Sequence, residues 1–201
     1  MTRPELCELW TRHLEGEDSV DRADGTASER RLRSVTPEVG RFLHLLVKLM
    51  GAREILEVGT SGGYSTIWLA SAARATNGRV TTLELLPAKI ERARHNFAAA
   101  GLQDSITIVE GDAHQTITTL EGPFDLVFLD AEKEFYLDFL EPLVQLLRPG
   151  GVLIADNLLS HAEALAPFRQ AVESHPELEC ILVPIPRGEL LARKRDGTRQ
   201  P

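Results

Sequence analysis

Cysteine is scarce in this 201-residue chain, which holds only Cys7 and Cys180. Two thiols without Cys-x-x-Cys or Cys/His spacing exclude a disulfide framework and a sulfur-based zinc site, and they fit a reducing compartment. Long apolar runs are also missing. No stretch approaches the roughly 20 residues that cross a bilayer, and the first residues lack the apolar core of a signal peptide. A cytoplasmic protein with no membrane partner is expected. Basic residues number 22 against 30 acidic ones, a formal net charge of −8. Such a balance argues against a broad nucleic-acid-binding surface, though a local one stays open. There is no internal repeat and no low-complexity segment. With 43% hydrophobic residues at this length, one well-buried α/β domain is expected.

The stretch from Ile55 to Ser65, Ile-Leu-Glu-Val-Gly-Thr-Ser-Gly-Gly-Tyr-Ser, reads as strand, tight loop and helix start. Glycines at 59, 62 and 63 let the loop take positive φ and let a ligand approach the backbone, while the helix behind offers unpaired N–H groups. The pattern is neither the Gly-x-Gly-x-x-Gly of dinucleotide folds nor a phosphate loop ending in Gly-Lys-Ser/Thr. Glu57 just before the loop disfavours a pyrophosphate and suits a cationic ligand. S-adenosylmethionine (SAM), with its sulfonium and amino group, meets that description. An ordinary glycine-rich strand-to-helix turn is the competing explanation for this stretch alone.

Leu6, Leu9, Trp10 and Leu14 fall at helical spacing near the N-terminus, and residues 15 to 30 then turn polar, as in a mobile connection or lid. Thr36-Pro37 starts a second helix whose stripe of Val39, Phe42, Leu43, Leu46, Val47 and Met50 ends at Gly51. From Arg53, strand-like runs at 54–58, 79–84, 105–109, 124–129 and 151–155 alternate with helical patterns such as Pro87 to Ala100. Alternation of this kind means crossover units and a mostly parallel sheet. Runs at 178–183 and 189–193 are joined by only five residues, so they should form an antiparallel hairpin at the sheet edge.

Ligands in open α/β sheets bind outside the carboxyl ends of the strands. Those ends carry Glu57, Glu84, Asp112, Asp130 and Asp156-Asn157. Each has a bland reading as a turn or cap residue, yet together they line one edge. Glu84 is placed to accept from both ribose hydroxyls. Asp112 and the backbone of Ala113 could meet an adenine edge. Asp130, Asp156 and Asn157 should converge from neighbouring strand ends, and such hard oxygen donors select Mg²⁺ or a similar cation. Lys133 lies three residues beyond Asp130. Repulsion from a bound dication favours its neutral amine, a usable base, although an exposed surface lysine is the plainer alternative.

These residues resemble the cation-dependent, SAM-dependent O-methyltransferases typified by the caffeoyl-CoA and catechol enzymes, including small bacterial members. The resemblance runs over roughly residues 30 to 195. Its carriers are Leu56 to Ser65, Glu84, Gly111-Asp112-Ala113, Asp130-Ala131-Glu132-Lys133 with Tyr136, and Gly150-Gly151 leading to Asp156-Asn157. It implies a Rossmann-like class I methyltransferase fold with seven strands, mostly parallel, the last antiparallel. It also implies a homodimer, with residues 1–35 as an N-terminal helical or lid segment and 36–195 as the methyltransferase domain. By the same resemblance SAM contacts fall on Val35, Glu57, Gly59, Thr60, Ser65, Glu84, Ala113 and Asp130. Metal ligation falls on Asp130, Asp156 and Asn157, and Lys133 matches the proposed general base, with Asp130 beside it at the catalytic centre.

Two departures bear on the acceptor. After Asn157 the tryptophan-containing stretch usual in the family gives way to Leu158-Leu159-Ser160-His161, and the frequent Gly-Asp-Gly before the last strand becomes Arg187-Gly188-Glu189. His161 is within reach of the site but could equally be a solvated loop residue. The expected activity is methyl transfer to a hydroxyl of a small catechol-like acceptor. A hydroxylated tRNA base is the alternative acceptor, and a non-catalytic SAM-binding module is the alternative of another class.

Overall fold

The computed structural model describes residues 3–23 and 32–197. The apolar runs become β1 (Glu54–Val58), β2 (Arg79–Glu84), β3 (Ile106–Glu110), β4 (Phe124–Leu129), β5 (Leu147–Ala155), β6 (Leu178–Val183) and β7 (Glu189–Lys194). They form one sheet in the order β3-β2-β1-β4-β5-β7-β6. The first five strands pair in parallel, and β7 runs antiparallel to both β5 and β6. The last two strands are thus the expected hairpin, with β7 seated between β5 and β6.

The strand order reverses direction between β1 and β4, the position where an open α/β sheet leaves a crevice beyond its strand ends. Register fixes what meets there. Val58 pairs with Leu129 and Leu129 with Ala155, so Gly59, Asp130 and Asp156 follow side by side. Backbone bonds carry the ladder one step further, from Asp130 N to Val58 O at 3.0 Å and from Asp156 N to Leu129 O at 3.1 Å.

Alternation along each central strand divides the core into two faces. Ile55, Leu126, Phe128 and Ile154 pack with helices α2 (Pro37–Met50), α3 (Tyr64–Ala75) and α4 (Pro87–Ala99). Leu56, Val127, Leu129 and Leu153 face the other way, against α6 (Tyr136–Leu146) and α7 (Ala166–Ser174). The start of α2 is fixed by the Thr36 hydroxyl accepting from Val39 N, and its end by Gly51 at φ 62. β5 begins at Leu147, earlier than Pro149-Gly150 implies, because Leu147 pairs with Phe124 across a register shift.

The N-terminal helix α1 (Arg3–Ala23) continues through residues expected to be a mobile connection. Tertiary contacts explain the extension. Leu14 is fully buried, Glu15 accepts the Tyr64 hydroxyl at 2.6 Å, and Glu17 pairs with Arg92 at 3.0 Å. Of the expected apolar stripe, Leu9 is exposed and Trp10 is half-buried, while the Leu6 side chain and residues 24–30 of the expected lid lie outside the described residues. Among the described residues no helix is long and apolar enough to cross a membrane.

Candidate active site

A cavity of about 720 Å³ opens over the carboxyl ends of β1, β2, β4 and β5, within the size range of small-molecule sites. Its floor is the glycine loop. Gly59 takes φ 101, and a Cβ there would stand 2.2 Å from the Asp130 carbonyl oxygen, so the close approach of β1 and β4 demands glycine. Gly63 at φ 86 caps α3, and Asn96 Nδ2 donates to the Gly62 carbonyl at 2.8 Å, tying the loop to α4.

Glu57 is fully buried beneath this loop and is not on the cavity wall. Ser65 Oγ donates to its Oε1 at 2.6 Å, and Oε2 receives the Thr82 hydroxyl at 2.6 Å and that of Thr66. Burial pushes this carboxyl up to about 7; the three hydroxyls oppose the shift and the Asp130 charge adds to it. Glu57 therefore locks β1, β2 and the first turn of α3 together. Thr60 joins the same network through Thr82 Oγ1 at 2.6 Å, and both Thr60 and Ser65 also line the cavity.

Glu84 ends β2 with its carboxylate held by backbone N–H groups, Ser61 at 2.7 Å and Leu85 and Leu86 at 3.0 Å each. Three fixed donors orient its two oxygens at the cavity wall and leave lone pairs for further donors. Next to it, Asp112 accepts from His114 N at 2.9 Å and caps α5 (Ala113–Thr116). Asp112 also meets the His114 ring at 3.0 Å, which holds the imidazole pKa above its usual value. The His114 ring packs on Phe135 and Phe139 at centroid distances of 4.8 and 4.7 Å, giving this end of the cavity an aromatic wall.

At the other end, Lys133 Nζ donates to Asp130 Oδ1 at 2.8 Å, to the Ala131 carbonyl at 2.9 Å and to the Tyr136 hydroxyl at 2.9 Å. Tyr136, fully buried, lies 3.1 Å from the Leu129 carbonyl and 3.3 Å from that of Asp156, so it braces the ends of β4 and β5. Asp156 is itself buried. Its Oδ1 accepts from Asn157 N at 2.6 Å, while no N–H or hydroxyl donor reaches Oδ2. Asn157 takes the left-handed conformation at φ 75 and lines the cavity.

Against Asp156 stands Glu189, fully buried, its carboxyl within hydrogen-bonding reach of the Asp156 carboxyl and met by no other donor. Burial raises both acids, and the charge of Asp130 adds to the effect on Asp156, as that of Asp156 does on Glu189. The donor set Asp130, Asp156 and Asn157 is all hard oxygen, and buried carboxyls that face one another without an N–H or hydroxyl donor are groups that a cation would satisfy. Among the described residues no three carboxylate, imidazole or thiolate groups converge as a ready metal cage. The third donor of the set is an amide.

Of the residues expected from the sequence, the cavity brings together Gly59, Thr60, Ser65, Glu84, Asp112, Ala113, Asp130, Lys133 and Asn157. Glu57 and Asp156 stand behind its wall. Val35 is buried in the core, whereas its neighbours Leu32, Arg33 and Ser34 are the ones that line the cavity. Sequence reasoning missed Phe135, Phe139 and His114. The four-residue spacing of the two phenylalanines around Tyr136 was the available signal. Glu189 was legible only as the last residue of the altered motif before the final strand.

A family model described as O-methyltransferase matches residues 26–195. A catechol O-methyltransferase from Mycobacterium tuberculosis is 40% identical over 173 residues, covering 80% of this chain and 78% of that protein. Among solved structures, an O-methyltransferase from Bacillus cereus in complex with S-adenosylhomocysteine (SAH) superimposes with a TM-score of 0.78 at 31% identity, over 90% of each chain. The O-methyltransferase TomG from Streptomyces achromogenes, in complex with SAM, gives a TM-score of 0.77 at 28% identity, covering 90% of this chain and 89% of that one.

Proposed function

Because the chain belongs to the O-methyltransferase family, we propose that it transfers the methyl group of SAM to a hydroxyl of a small catechol-like acceptor with the help of a divalent cation. One observation carries this reading. A single cavity runs from Glu84, past the glycine loop, to Asp130, Lys133 and Asn157, and one space of this extent supports a cofactor and an acceptor side by side.

In this reading the Glu84 carboxylate, pre-oriented by its three backbone donors, takes the ribose hydroxyls. The wall of His114, Phe135 and Phe139 flanks the adenine. The Gly59 loop and Ser65 hold the amino-acid end, and Asp130 lies where the two ligands meet. SAM supplies an electrophilic methyl on sulfur. Asp130, Asp156 and Asn157 would hold the cation, which supplies Lewis acidity that favours ionisation of an acceptor hydroxyl. Lys133 Nζ, held by Asp130 and Tyr136, takes the acceptor proton as the free amine, after one of its own three protons has been released to solvent. The remaining contribution of the protein is to align the nucleophilic oxygen with the methyl group and exclude water. Residues 36–195 carry this machinery, and α1 braces it through the Glu15–Tyr64 bond.

Transfer of label from SAM to catechol, with total tRNA as the competing acceptor and each assayed with and without Mg²⁺, tests the proposal. Methylated catechol formed only with the cation supports it. Label on tRNA alone would assign the other acceptor, and no transfer to either would mark a SAM-binding module.

A further inference from the structure

The two places where the sequence departs from the family pattern are bonded to each other at the cavity mouth. The Arg187 carbonyl accepts from Leu159 N at 2.8 Å and Ser160 N at 3.0 Å, and the Gly188 carbonyl accepts from Leu158 N at 2.9 Å. Together these bonds clamp the β6–β7 turn onto the loop that follows Asn157. The turn itself closes by Gly188 N donating to the Ile185 carbonyl at 2.8 Å, with Pro186 second and Arg187 third at φ 72. A proline followed by a positive φ is the type II pattern, whose third position favours glycine or asparagine. An arginine there carries a steric cost that its side chain must justify elsewhere.

That side chain lines the cavity and is half-buried. Its charge is unbalanced. Arg33 at the same end pairs with Glu132 at 2.6 Å, and Lys133 pairs with Asp130 at 2.8 Å. The Arg187 guanidinium bonds the Ser34 carbonyl through Nη1 at 3.3 Å, and among the described residues no carboxylate pairs with it. Beside it His161 also lines the cavity, its Nδ1 3.0 Å from Ser160 Oγ. The mouth therefore presents a guanidinium with no carboxylate partner among the described residues and, four residues after Asn157, the imidazole of His161.

The geometry points to an acceptor that bears a carboxylate: a dihydroxylated aromatic acid whose hydroxyls meet the Asp130 and Asn157 end and whose carboxylate is held by Arg187. A guanidinium matches the two oxygens of a carboxylate in one plane, which an ammonium does not. The count of charges favours a monoanion. A phosphorylated acceptor would bring a second negative charge toward Glu132 and Asp130, whereas among the described residues the other lining cation without a carboxylate partner, Lys89, follows Glu84 on the cofactor side of the cavity. The inference rests on reading the cavity as an O-methyltransferase acceptor site, and it adds the residue that selects among acceptors.

The test compares kcat/KM for 3,4-dihydroxybenzoate, its methyl ester and catechol, with SAM and Mg²⁺, in the wild type, Arg187→Asn and Arg187→Lys. Asparagine suits the left-handed turn position, so Arg187→Asn should keep or raise the thermal midpoint while removing the fork. The wild type should prefer the acid over the ester by about tenfold, carried in KM, and Arg187→Asn should bring that ratio to about 1. Arg187→Lys should restore part of it. Equal use of acid and ester by the wild type, or a preference that survives in Arg187→Asn, overturns the inference and leaves catechol methylation standing. Absence of transfer to all three acceptors overturns both.

Discussion

Lys133 Nζ lies 2.8 Å from Asp130 Oδ1, so the group assigned to proton removal and the carboxylate assigned to the cation form one ion pair, and the lysine must release a proton before it can take one. Both are largely buried, with side-chain exposures of 17% and 15%, which places the pair inside the range where charge matters. Their contact also fixes the amine against Tyr136 and hence against the ends of β4 and β5.

Lys133→Met should lower kcat by about 100-fold, at the lower end of what a positioned general base contributes. SAM affinity measured by calorimetry should stay within about twofold, since the amine acts on the acceptor and the cofactor reads other groups. Full activity of the variant across pH would put the base elsewhere.

Glu84→Ala should weaken SAM or SAH binding by about 1.5 to 3 kcal/mol, the scale of hydrogen bonds to a charged group. The loss has two parts, because the Glu84 carboxylate also bonds Ser61 N in the glycine loop. Glu84→Gln should recover part of it. Calorimetry with SAH separates the cases, and an unchanged dissociation constant for the alanine variant would remove Glu84 from the ribose site.

Glu57 gives a pH dependence of stability. Its folded-state carboxyl stands at about 7 against an ordinary 4.5, so the fold binds its proton more tightly than the unfolded chain does. The neutral acid is therefore the stabilising form. Its contribution is complete below about pH 4.5 and is lost as pH rises through about 7, a change on the order of 3 kcal/mol. Denaturant midpoints at pH 5 and pH 8 should differ less in Glu57→Gln than in the wild type. Equal slopes in the two proteins would show that Glu57 does not titrate in this window.

Much of this architecture was readable from residues alone because strand ends are local features. Val58-Gly59, Leu83-Glu84, Leu129-Asp130 and Ala155-Asp156 each show an apolar run stopping at a residue that cannot continue it, and the structure aligns them at one edge. What stayed hidden depends on distant partners. Whether β6 or β7 adjoins β5 depends on pairing Ala155 with Leu190, which no periodicity reveals. The burial of Glu57 depends on hydroxyls from Ser65 and Thr66 on α3 and from Thr82 on β2. The length of α1 depends on Tyr64 and Arg92, far along the chain. Arg187 looked like a lost family motif until the turn that carries it was seen clamped to the loop after Asn157.

The central claim is that Asp130, Asp156 and Asn157 form a cation site on which transfer depends, and methyl transfer to a catechol acceptor measured in EDTA, then with Mg²⁺ added back, tests it most directly. The wild type should fall to background in EDTA and recover fully with Mg²⁺, while Asp156→Ala should stay inactive at saturating SAM under both conditions, since its defect lies in acceptor ionisation. Full activity of the wild type in EDTA, or of Asp156→Ala in either condition, would contradict the claim and leave the strand-end acids as structural groups of a cation-independent methyltransferase.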